Sequence, residues 1–235
     1  MVIESGLLIL AAYLLGSVPV SYLAARFSRG IDLRQYGTGQ VGAGNLWRMT
    51  SWRLALPVGI FDFSKGMIMV WAAQLIGLGI AQQVTVGLAA IMGHNWSIFL
   101  RFNGGRGIGT SLGVIFVLMP WGLAVFCAIA AIGMVIFRSS PVPVLAGIAA
   151  LPLVSWGLEL PLAITLGFLA MLLIIVIKRL AVPRAAIAAS VSYRELLLNR
   201  LLFDRDIRDK KAWMYRQPAE ASSSEQPHKQ QEKKG

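Results

Sequence analysis

The chain has 235 residues, of which 56% are hydrophobic and only 14% are charged, and its mean hydropathy is +0.65. An ordinary soluble domain carries about a quarter charged residues, so this composition excludes a typical water-soluble globule. The net charge of +11 would suit a nucleic-acid binder, but the cations lie between apolar runs and in the C-terminal tail. That distribution excludes a single basic face for nucleic acid.

Six apolar runs are predicted to form membrane helices, because a helix needs about 20 apolar residues to cross the roughly 30 Å hydrocarbon core. The runs cover residues 6–25, 54–81, 84–100, 111–137, 142–157 and 162–177. The first run lacks a basic segment before it and a small-residue cleavage site after it, so we expect a retained span rather than a signal peptide.

The fourth run is too long for one ordinary span, since it would rise about 40 Å as a single helix. Pro120 interrupts it near the middle, and a turn there would bring Arg138 back to the side of Arg106. The count then becomes seven spans, with the N-terminus outside and the C-terminus in the cytoplasm. All 22 Lys and Arg then lie on the cytoplasmic side or in cytoplasmic halves of spans. The sequence therefore predicts an all-α, polytopic membrane protein with about seven transmembrane helices.

The C-terminal third is predicted to leave the membrane domain, which covers residues 1–180. Residues 181–216 are predicted to form a basic amphipathic segment on the cytoplasmic leaflet, because Leu196, Leu197, Arg200 and Leu201 recur at helical spacing among cations. Residues 217–235 are rich in Ser, Gln, Glu and Lys, which is typical of a disordered tail.

The first polar loop holds four glycines within residues 37–44, which frees its backbone to turn several amides towards one point. Thr38 and Asn45 add polar side chains, and Arg48 can bind a phosphate with its planar fork. A simple glycine-rich turn is the alternative interpretation of this loop.

The second polar loop contains Gly104-Gly105-Arg106-Gly107 directly before an apolar helix. Exposed amides at a helix N-terminus, together with Arg101 and Arg106, form a suitable anion site. The alternative is that these arginines anchor the helix at lipid headgroups. His94 and Asn95 end the preceding apolar run, where polar side chains need partners, and a structural role is the commoner one for a lone histidine.

Asp62 and Lys65 lie three residues apart inside the second apolar run, on one face of the predicted helix. Ionisable residues at membrane depth usually pair and often mark a functional path, although a purely structural pair is the alternative. The sequence contains no His-x4-Asp, Gly-x-Ser-x-Gly, Walker or Cys/His metal pattern. We therefore predict no covalent or acid–base catalytic residue, no metal and no cofactor.

These segments together resemble the bacterial acyl-phosphate:glycerol-3-phosphate acyltransferases, the PlsY family. Five stretches follow the family's order and spacing over about the first half of the chain: Gly16-Ser17-Val18-Pro19, Ile31-Asp32-Leu33-Arg34, residues 37–48, Asp62-Phe63-Ser64-Lys65-Gly66 and residues 93–113. Departures from the family pattern are Thr38, Gln40, Gly44 and Arg106. A third family motif aligns loosely with Arg138-Ser139-Ser140-Pro141, and Lys178-Arg179 or Tyr193-Arg194-Glu195 takes the place of the C-terminal one.

The resemblance implies a seven-span bacterial inner-membrane enzyme with its active site on the cytosolic side. Such an enzyme transfers a fatty acyl group from acyl phosphate to the sn-1 hydroxyl of glycerol 3-phosphate, giving lysophosphatidate for phospholipid synthesis. Its partners are these two substrates and membrane lipids, with no nucleic acid. The resemblance assigns phosphate binding to the first loop and the second loop, with these residues: Thr38, Gly39, Asn45, Arg48, Arg106, and Gly104, Gly105 and Gly107, which also shape the second loop. Asp62, Lys65, His94 and Asn95 are expected to support them.

Two other functions remain open from the sequence. A divergent paralogue could bind a phosphorylated lipid or metabolite without turnover. Anion transport is weaker, because the sequence has no evident inverted repeat or broken-helix pair.

Overall fold

A computed structural model describes residues 2–182 and 185–216, and the regular elements in those residues are helical. In chain order the α-helices are α1 (Val2–Ser17), α2 (Val20–Arg29), α3 (Ala43–Met49), α4 (Trp52–Leu75), α5 (Ile80–Asn95), α6 (Ile108–Leu118), α7 (Pro120–Phe137), α8 (Pro141–Gly157), α9 (Leu162–Leu180), α10 (Tyr193–Phe203) and α11 (Lys210–Met214). Single 3-10 turns lie at Ile98–Leu100 and Ala186–Ala188.

Four helical stretches of the described chain are long and apolar enough to cross a bilayer, by length and composition: Ile3–Arg29, Trp52–Leu75, Pro120–Phe137 and Leu162–Leu180. α6 and α8 are shorter apolar helices. Large apolar side chains such as Trp121, Val135 and Leu162 are exposed on the outside of the bundle, as expected where helices face lipid. The prediction of an all-α integral membrane protein is confirmed.

The first apolar run is interrupted in the structure, although the sequence predicts one uniform helix. α1 ends at Ser17 and α2 begins at Val20, because Pro19 has no amide to continue the helical ladder. The Lys65 ammonium of α4 donates to two carbonyls at this break, 2.6 Å to Val18 and 3.3 Å to Gly16. The break is thus stabilised from inside the bundle.

The expected break at Pro120 is confirmed, since α6 ends at Leu118 and α7 starts at Pro120. The beginning of α6 and the end of α7, at Arg138, border the same cavity, so the chain reverses direction at Met119. At 11 residues, α6 is about 16 Å long and reaches only about halfway through a hydrocarbon core.

The boundary between the second and third runs differs from the prediction. α4 ends at Leu75 rather than at residue 81, since Gly77 adopts a left-handed conformation (φ 73°) that stops the helix. α5 then begins at Ile80, four residues earlier than predicted. The Gln82 side chain accepts a hydrogen bond (2.7 Å) from the Gly79 amide, so this polar residue caps the helix rather than preceding it.

Glycines allow two pairs of helices to touch backbone to backbone, α1 with α5 and α4 with α6. A Cβ at any of four glycines would collide with a carbonyl of the neighbouring helix: Gly16 with Ala90, Gly93 with Tyr13, Gly66 with Thr110 and Gly113 with Phe63. Such small-residue contacts are the usual means of close helix packing in membranes. They fix the ends of α5 and α6, which border the site described below.

The C-terminal segment contains two short helices, α10 and α11, where the sequence predicts one amphipathic helix. Asp204 ends α10 in a left-handed conformation (φ 53°). Arg200 turns inwards, and its Nε lies 2.7 Å from the Asp206 carboxylate. Leu196 and Arg200 are buried against α8 and α9, so this face packs on the protein itself. The predicted disordered tail, 217–235, lies outside the described residues.

Candidate functional site

A cavity of about 740 Å³ lies where the two polar loops, the ends of α5, α7 and α9, and the C-terminal segment meet. Six cationic side chains border it: Arg48, Arg106, Arg138, Arg179, Arg205 and Lys210. The carboxylates at its border are Asp62 and Asp204. Cations exceed anions, so the cavity favours negatively charged ligands.

The first loop is held in shape by Asn45. Its buried Nδ2 donates to the carbonyls of Leu33 (3.2 Å), Tyr36 (3.0 Å) and Gln40 (3.1 Å), while its Oδ1 accepts from the Thr38 amide (2.9 Å). These bonds use most of the hydrogen-bonding capacity of the Asn45 side-chain amide. The structure therefore gives Asn45 the role of fixing the loop, beside the phosphate contact that the resemblance implies.

Thr38 and Arg48 border the cavity, whereas Gly39 does not. Gly39 adopts a left-handed conformation (φ 75°) that glycine reaches at little cost, so its contribution is to the path of the loop. Arg48 is exposed, and its Nη1 donates to the Gly44 carbonyl (2.8 Å), which leaves its other donors free to bind a ligand.

The start of the first loop is anchored by Asp32 and Arg34. Arg34 Nη2 lies 2.5 Å from the Asp32 carboxylate, and the guanidinium also stacks over the Tyr22 ring at 5.3 Å. Hydrogen bonding to Arg34 holds the pKa of Asp32 below its usual value. Asp32 does not border the cavity.

The second loop packs tightly on the end of α5. The Gly104 and Gly105 amides donate to the carbonyls of Asn95 (3.1 Å) and His94 (3.0 Å), so they do not point into the cavity. A Cβ at Gly105 would collide with the His94 ring. Gly104 and Gly105 shape the loop by close approach, and a direct phosphate contact through their amides does not fit this geometry.

Gly107 turns the chain into α6 with a left-handed conformation (φ 73°). The first turn of α6 follows at Ile108 and Gly109, which both border the cavity. Amides in the first turn of a helix have no partner within that helix, and they carry a partial positive charge. The N-terminus of α6 therefore adds to the positive potential around Arg106.

Arg106 connects the second loop with the C-terminal segment through its side chain. Its Nε and Nη2 both lie 2.9 Å from the Asp204 carboxylate, and its Nη1 donates to the Lys178 carbonyl at 2.7 Å. Gln40 donates to the other oxygen of the same carboxylate at 2.6 Å. Arg106, Gln40 and Asp204 thus form one network that connects both polar loops with the C-terminal segment.

Asp62, Lys65 and His94 form a buried polar cluster at the inner end of the cavity. Lys65 Nζ lies 3.0 Å from Asp62 Oδ1, and His94 Nδ1 lies 3.5 Å from the same oxygen. The predicted pairing of Asp62 with Lys65 is present, and Asp62 and His94 also border the cavity. Lys65 instead points towards the break between α1 and α2.

Asn95 is fully buried beside the second loop. Within residues 2–182 and 185–216, its side-chain amide has no hydrogen-bond partner, nor do the hydroxyls of Thr110 and Ser111. Asn95 and Lys65 do not border the main cavity. The same described residues hold no group of three or more His, Cys, Asp or Glu that could bind a metal ion.

Several residues of the site were not predicted from the sequence. Ser139 and Ser140 border the cavity, and the loose motif before α8 was the signal for them. Arg179 does so as well, while Tyr193 is exposed, so the structure favours Lys178-Arg179 as the counterpart of the C-terminal motif. Arg205 and Lys210 were interpreted only as cations of the basic amphipathic segment, and Asp204 and Trp213 carried no sequence signal. Burial lowers the pKa of the Arg205 guanidinium.

Comparisons with known proteins agree on one family. A family model described as glycerol-3-phosphate acyltransferase matches residues 6–186. The chain is 44% identical over 221 residues to glycerol-3-phosphate acyltransferase 5 of Dehalococcoides mccartyi, covering 92% of this chain and 94% of that protein. It is 47% identical over 112 residues to a glycerol-3-phosphate acyltransferase of Thermus thermophilus, covering 48% and 56% of the two chains.

A solved structure gives the same result at the level of the fold. The crystal structure of PlsY (YgiH), an integral membrane glycerol 3-phosphate acyltransferase in its glycerol 3-phosphate form, is similar with a TM-score of 0.71 and 27% identity. The match covers 75% of this chain and 88% of the crystallised one.

Proposed function

The chain belongs to the glycerol-3-phosphate acyltransferase family, and from this premise we propose that its basic cavity binds the phosphates of both substrates, an acyl phosphate and glycerol 3-phosphate. The protein is an acyltransferase of phospholipid synthesis that transfers a fatty acyl group to the sn-1 hydroxyl of glycerol 3-phosphate, giving lysophosphatidate. The observation that carries the proposed site is the convergence of six cations with the N-terminus of α6 around one cavity.

The chemistry requires little beyond binding and orientation. In an acyl phosphate the phosphate is already a good leaving group, so the protein has to place the glycerol hydroxyl against the acyl carbonyl. As the hydroxyl oxygen bonds to the carbonyl carbon, negative charge develops on the carbonyl oxygen. The phosphate then departs with the bonding electrons and takes up the hydroxyl proton, so no protein base is required. Fixed cations such as Arg106 stabilise both charges without reorganisation.

Two phosphates fit the distribution of cations. Arg106 and Arg179 lie near the ends of the second loop and of α9. Arg48 lies in the last turn of α3, and Arg138 directly follows α7. We assign Thr38, Arg48, Arg106 and the first turn of α6 to phosphate binding. The loop-shaping residues are Gly39, Asn45, Gly104, Gly105 and Gly107, and Asp62, Lys65, His94 and Asn95 support them from the interior.

The acyl chain has a separate place to bind. An apolar groove of about 590 Å³ runs along the lipid-facing side of α3 and α4, bordered by residues including Trp47, Trp52 and Phe63. It shares Ala43, Gly44 and Gly59 with the basic cavity. A substrate with a phosphate head and an apolar chain could therefore occupy both at once, with the chain leaving towards lipid.

Gly59 lies at the junction between cavity and groove, where a Cβ would touch Ala43 Cβ at 3.4 Å. We expect Gly59→Leu to raise KM for palmitoyl phosphate by about tenfold, because the leucine side chain fills space in which part of the acyl chain would make apolar contacts. KM for glycerol 3-phosphate should stay within twofold. Gly6→Leu, on an open face of α1, is the control. Equal KM values for palmitoyl phosphate in both variants would contradict the groove assignment.

The function itself is tested by turnover. Purified full-length protein is incubated with acyl phosphate and labelled glycerol 3-phosphate, and labelled lysophosphatidate is measured. Acyl-CoA replaces acyl phosphate in a parallel reaction that tests the donor. Phosphate binding without any labelled product would favour the non-catalytic paralogue.

We also propose a seven-span topology in the bacterial inner membrane, with the N-terminus outside and the cavity facing the cytoplasm. The segments α1–α2, α4, α5, α6, α7, α8 and α9 would be the spans. The clustering of basic residues at the cavity end supports this orientation under the positive-inside rule.

The topology predicts which side of the membrane single cysteines face. In a Cys127→Ser background, a membrane-impermeant maleimide should label Leu158→Cys in cells with a permeabilised outer envelope. Arg29→Cys should be labelled only after the inner membrane is disrupted. Both positions are exposed, so accessibility within the fold does not limit labelling. The reverse pattern would overturn the orientation.

A further inference from the structure

Residues 204–216 form a wall of the basic cavity although they lie beyond the range that the family model matches, residues 6–186. Asp204, Arg205, Lys210 and Trp213 all border the cavity from this wall. The wall introduces a carboxylate into a cavity suited to anions.

Asp204 occupies the donors that an incoming phosphate would use. Arg106 Nε donates to Asp204 Oδ1 at 2.9 Å, its Nη2 lies 2.9 Å from the same oxygen, and its Nη1 donates to the Lys178 carbonyl. The Gln40 amide donates to the same carboxylate at 2.6 Å. A phosphate can accept two parallel hydrogen bonds from the Nε and Nη2 edge of an arginine, so it competes with the carboxylate for these two nitrogens.

We propose that Asp204 is a displaceable anion, which positions Arg106 and Gln40 and gives up both of them to a phosphate of the substrate. This inference rests on the proposed function, because it takes Arg106 as a phosphate-binding residue. Asp204 is then a positioning residue that weakens phosphate binding. Each binding event must break the contacts of Asp204 and bring a dianion near its carboxylate.

The surrounding wall is anchored independently of Asp204. The Asp206 carboxylate bonds to Arg200 Nε (2.7 Å) and to the Ala185 amide (2.8 Å). At the other end, Arg216 donates to the Gly37 carbonyl and lies over the Trp213 ring at 4.0 Å. Displacing the Asp204 side chain therefore does not require the wall to detach, and Arg205 and Lys210 remain in place near the ligand.

Asparagine is the most informative replacement for Asp204. It keeps the shape, still accepts from Arg106, and tolerates the left-handed backbone conformation at this position (φ 53°), while it removes the charge. Asp209→Asn is the matched control. Asp209 caps α11 from the same wall through the Lys211 and Ala212 amides, a role that asparagine also fulfils.

The experiment measures binding of glycerol 3-phosphate to the full-length protein in detergent by calorimetry, together with KM and kcat. We expect Asp204→Asn to lower Kd about fivefold and KM in parallel, without a rise in kcat, because a competing charged contact is lost. Asp209→Asn should leave Kd within twofold. Asp204→Gly, which also accommodates the left-handed conformation, should tighten binding in the same direction.

Unchanged or weaker binding in both Asp204 variants would overturn the inference, and weaker binding would mean that Asp204 only orders Arg106. The underlying site assignment has a separate test in Arg106→Gln. If that variant binds glycerol 3-phosphate as the wild type does, the assignment of Arg106 fails and the displacement proposal fails with it. If Arg106→Gln weakens binding while the Asp204 variants do not tighten it, only the displacement proposal fails.

Discussion

Replacing Arg106 by glutamine is expected to lower kcat/KM for acyl transfer by about a hundredfold, because a charged and largely desolvated phosphate contact is lost. The Arg106 side chain is only 14% exposed, and its fork is directed into the cavity beside the first turn of α6. Most of the loss should appear in KM for a phosphate-bearing substrate, with a smaller part in kcat where the contact strengthens during reaction. Steady-state kinetics with acyl phosphate and glycerol 3-phosphate measure both.

Two controls separate this effect from damage to the fold. Arg101→Gln removes a cation from the same loop at an exposed position that does not border the cavity, so its kinetics should match the wild type. In Arg106→Gln the Asp204 carboxylate loses its main partner. The double variant Arg106→Gln/Asp204→Asn also removes that negative charge, so it separates the lost phosphate contact from the effect of an unpaired carboxylate. Normal turnover in Arg106→Gln would mean that the cavity binds substrate phosphates elsewhere.

Replacing Lys65 by methionine should lower the free energy of unfolding by about 3 kcal/mol, the usual cost of breaking a buried ion pair. Lys65 is among the largest fully buried side chains, and its ammonium is bonded to Asp62 and to two carbonyls at the break between α1 and α2. Methionine fills the same volume but leaves the carboxylate and both carbonyls without this donor. Unfolding by SDS in mixed micelles, followed by tryptophan fluorescence, gives the free energy.

The double variant Asp62→Asn/Lys65→Met should recover part of that stability, because the uncompensated carboxylate is removed as well. Ile68→Met, on the exposed side of the same helix, serves as the control and should unfold like the wild type. A Lys65→Met variant as stable as the wild type would show that the pair contributes only to function.

The sequence predicted those features of the fold that the thickness of the bilayer determines, namely the helical class and the approximate positions of the long apolar helices. Long apolar runs have to be helical in lipid, so the all-α class followed from composition and spacing alone. Pro120 marked a true break because proline cannot continue a helix past its own missing amide. The same reasoning applied to Pro19 would have divided the first run. That run has about the length of a single membrane helix, so the sequence predicts one helix there. Helix ends near Gly77 and Gln82 were displaced because turn and cap geometry decide them, not hydropathy.

The site was predictable where its chemistry is local in the sequence. Arg106, Thr38 and Arg48 belong to glycine-containing loops, and all three border the cavity. The directions of the Gly104 and Gly105 amides were not predictable, because they depend on how the loop packs on α5. Asp204 was also missed, since a carboxylate almost a hundred residues from Arg106 reveals itself only through the fold.

The backbone contacts at Gly16, Gly93, Gly66 and Gly113 make the helix pairs α1–α5 and α4–α6 less able to adapt than the pair α7–α8. A backbone carbonyl cannot move aside as a flexible side chain does, so a larger residue at these four positions would force the helices apart. In the pair α7–α8, added atoms would meet side chains first, at Gly133 and Gly147. Substitution libraries at α7, α8 and the C-terminal wall should therefore give folded proteins with altered substrate preference. Libraries at the glycine contacts of α1–α5 and α4–α6 should mostly give misfolded chains.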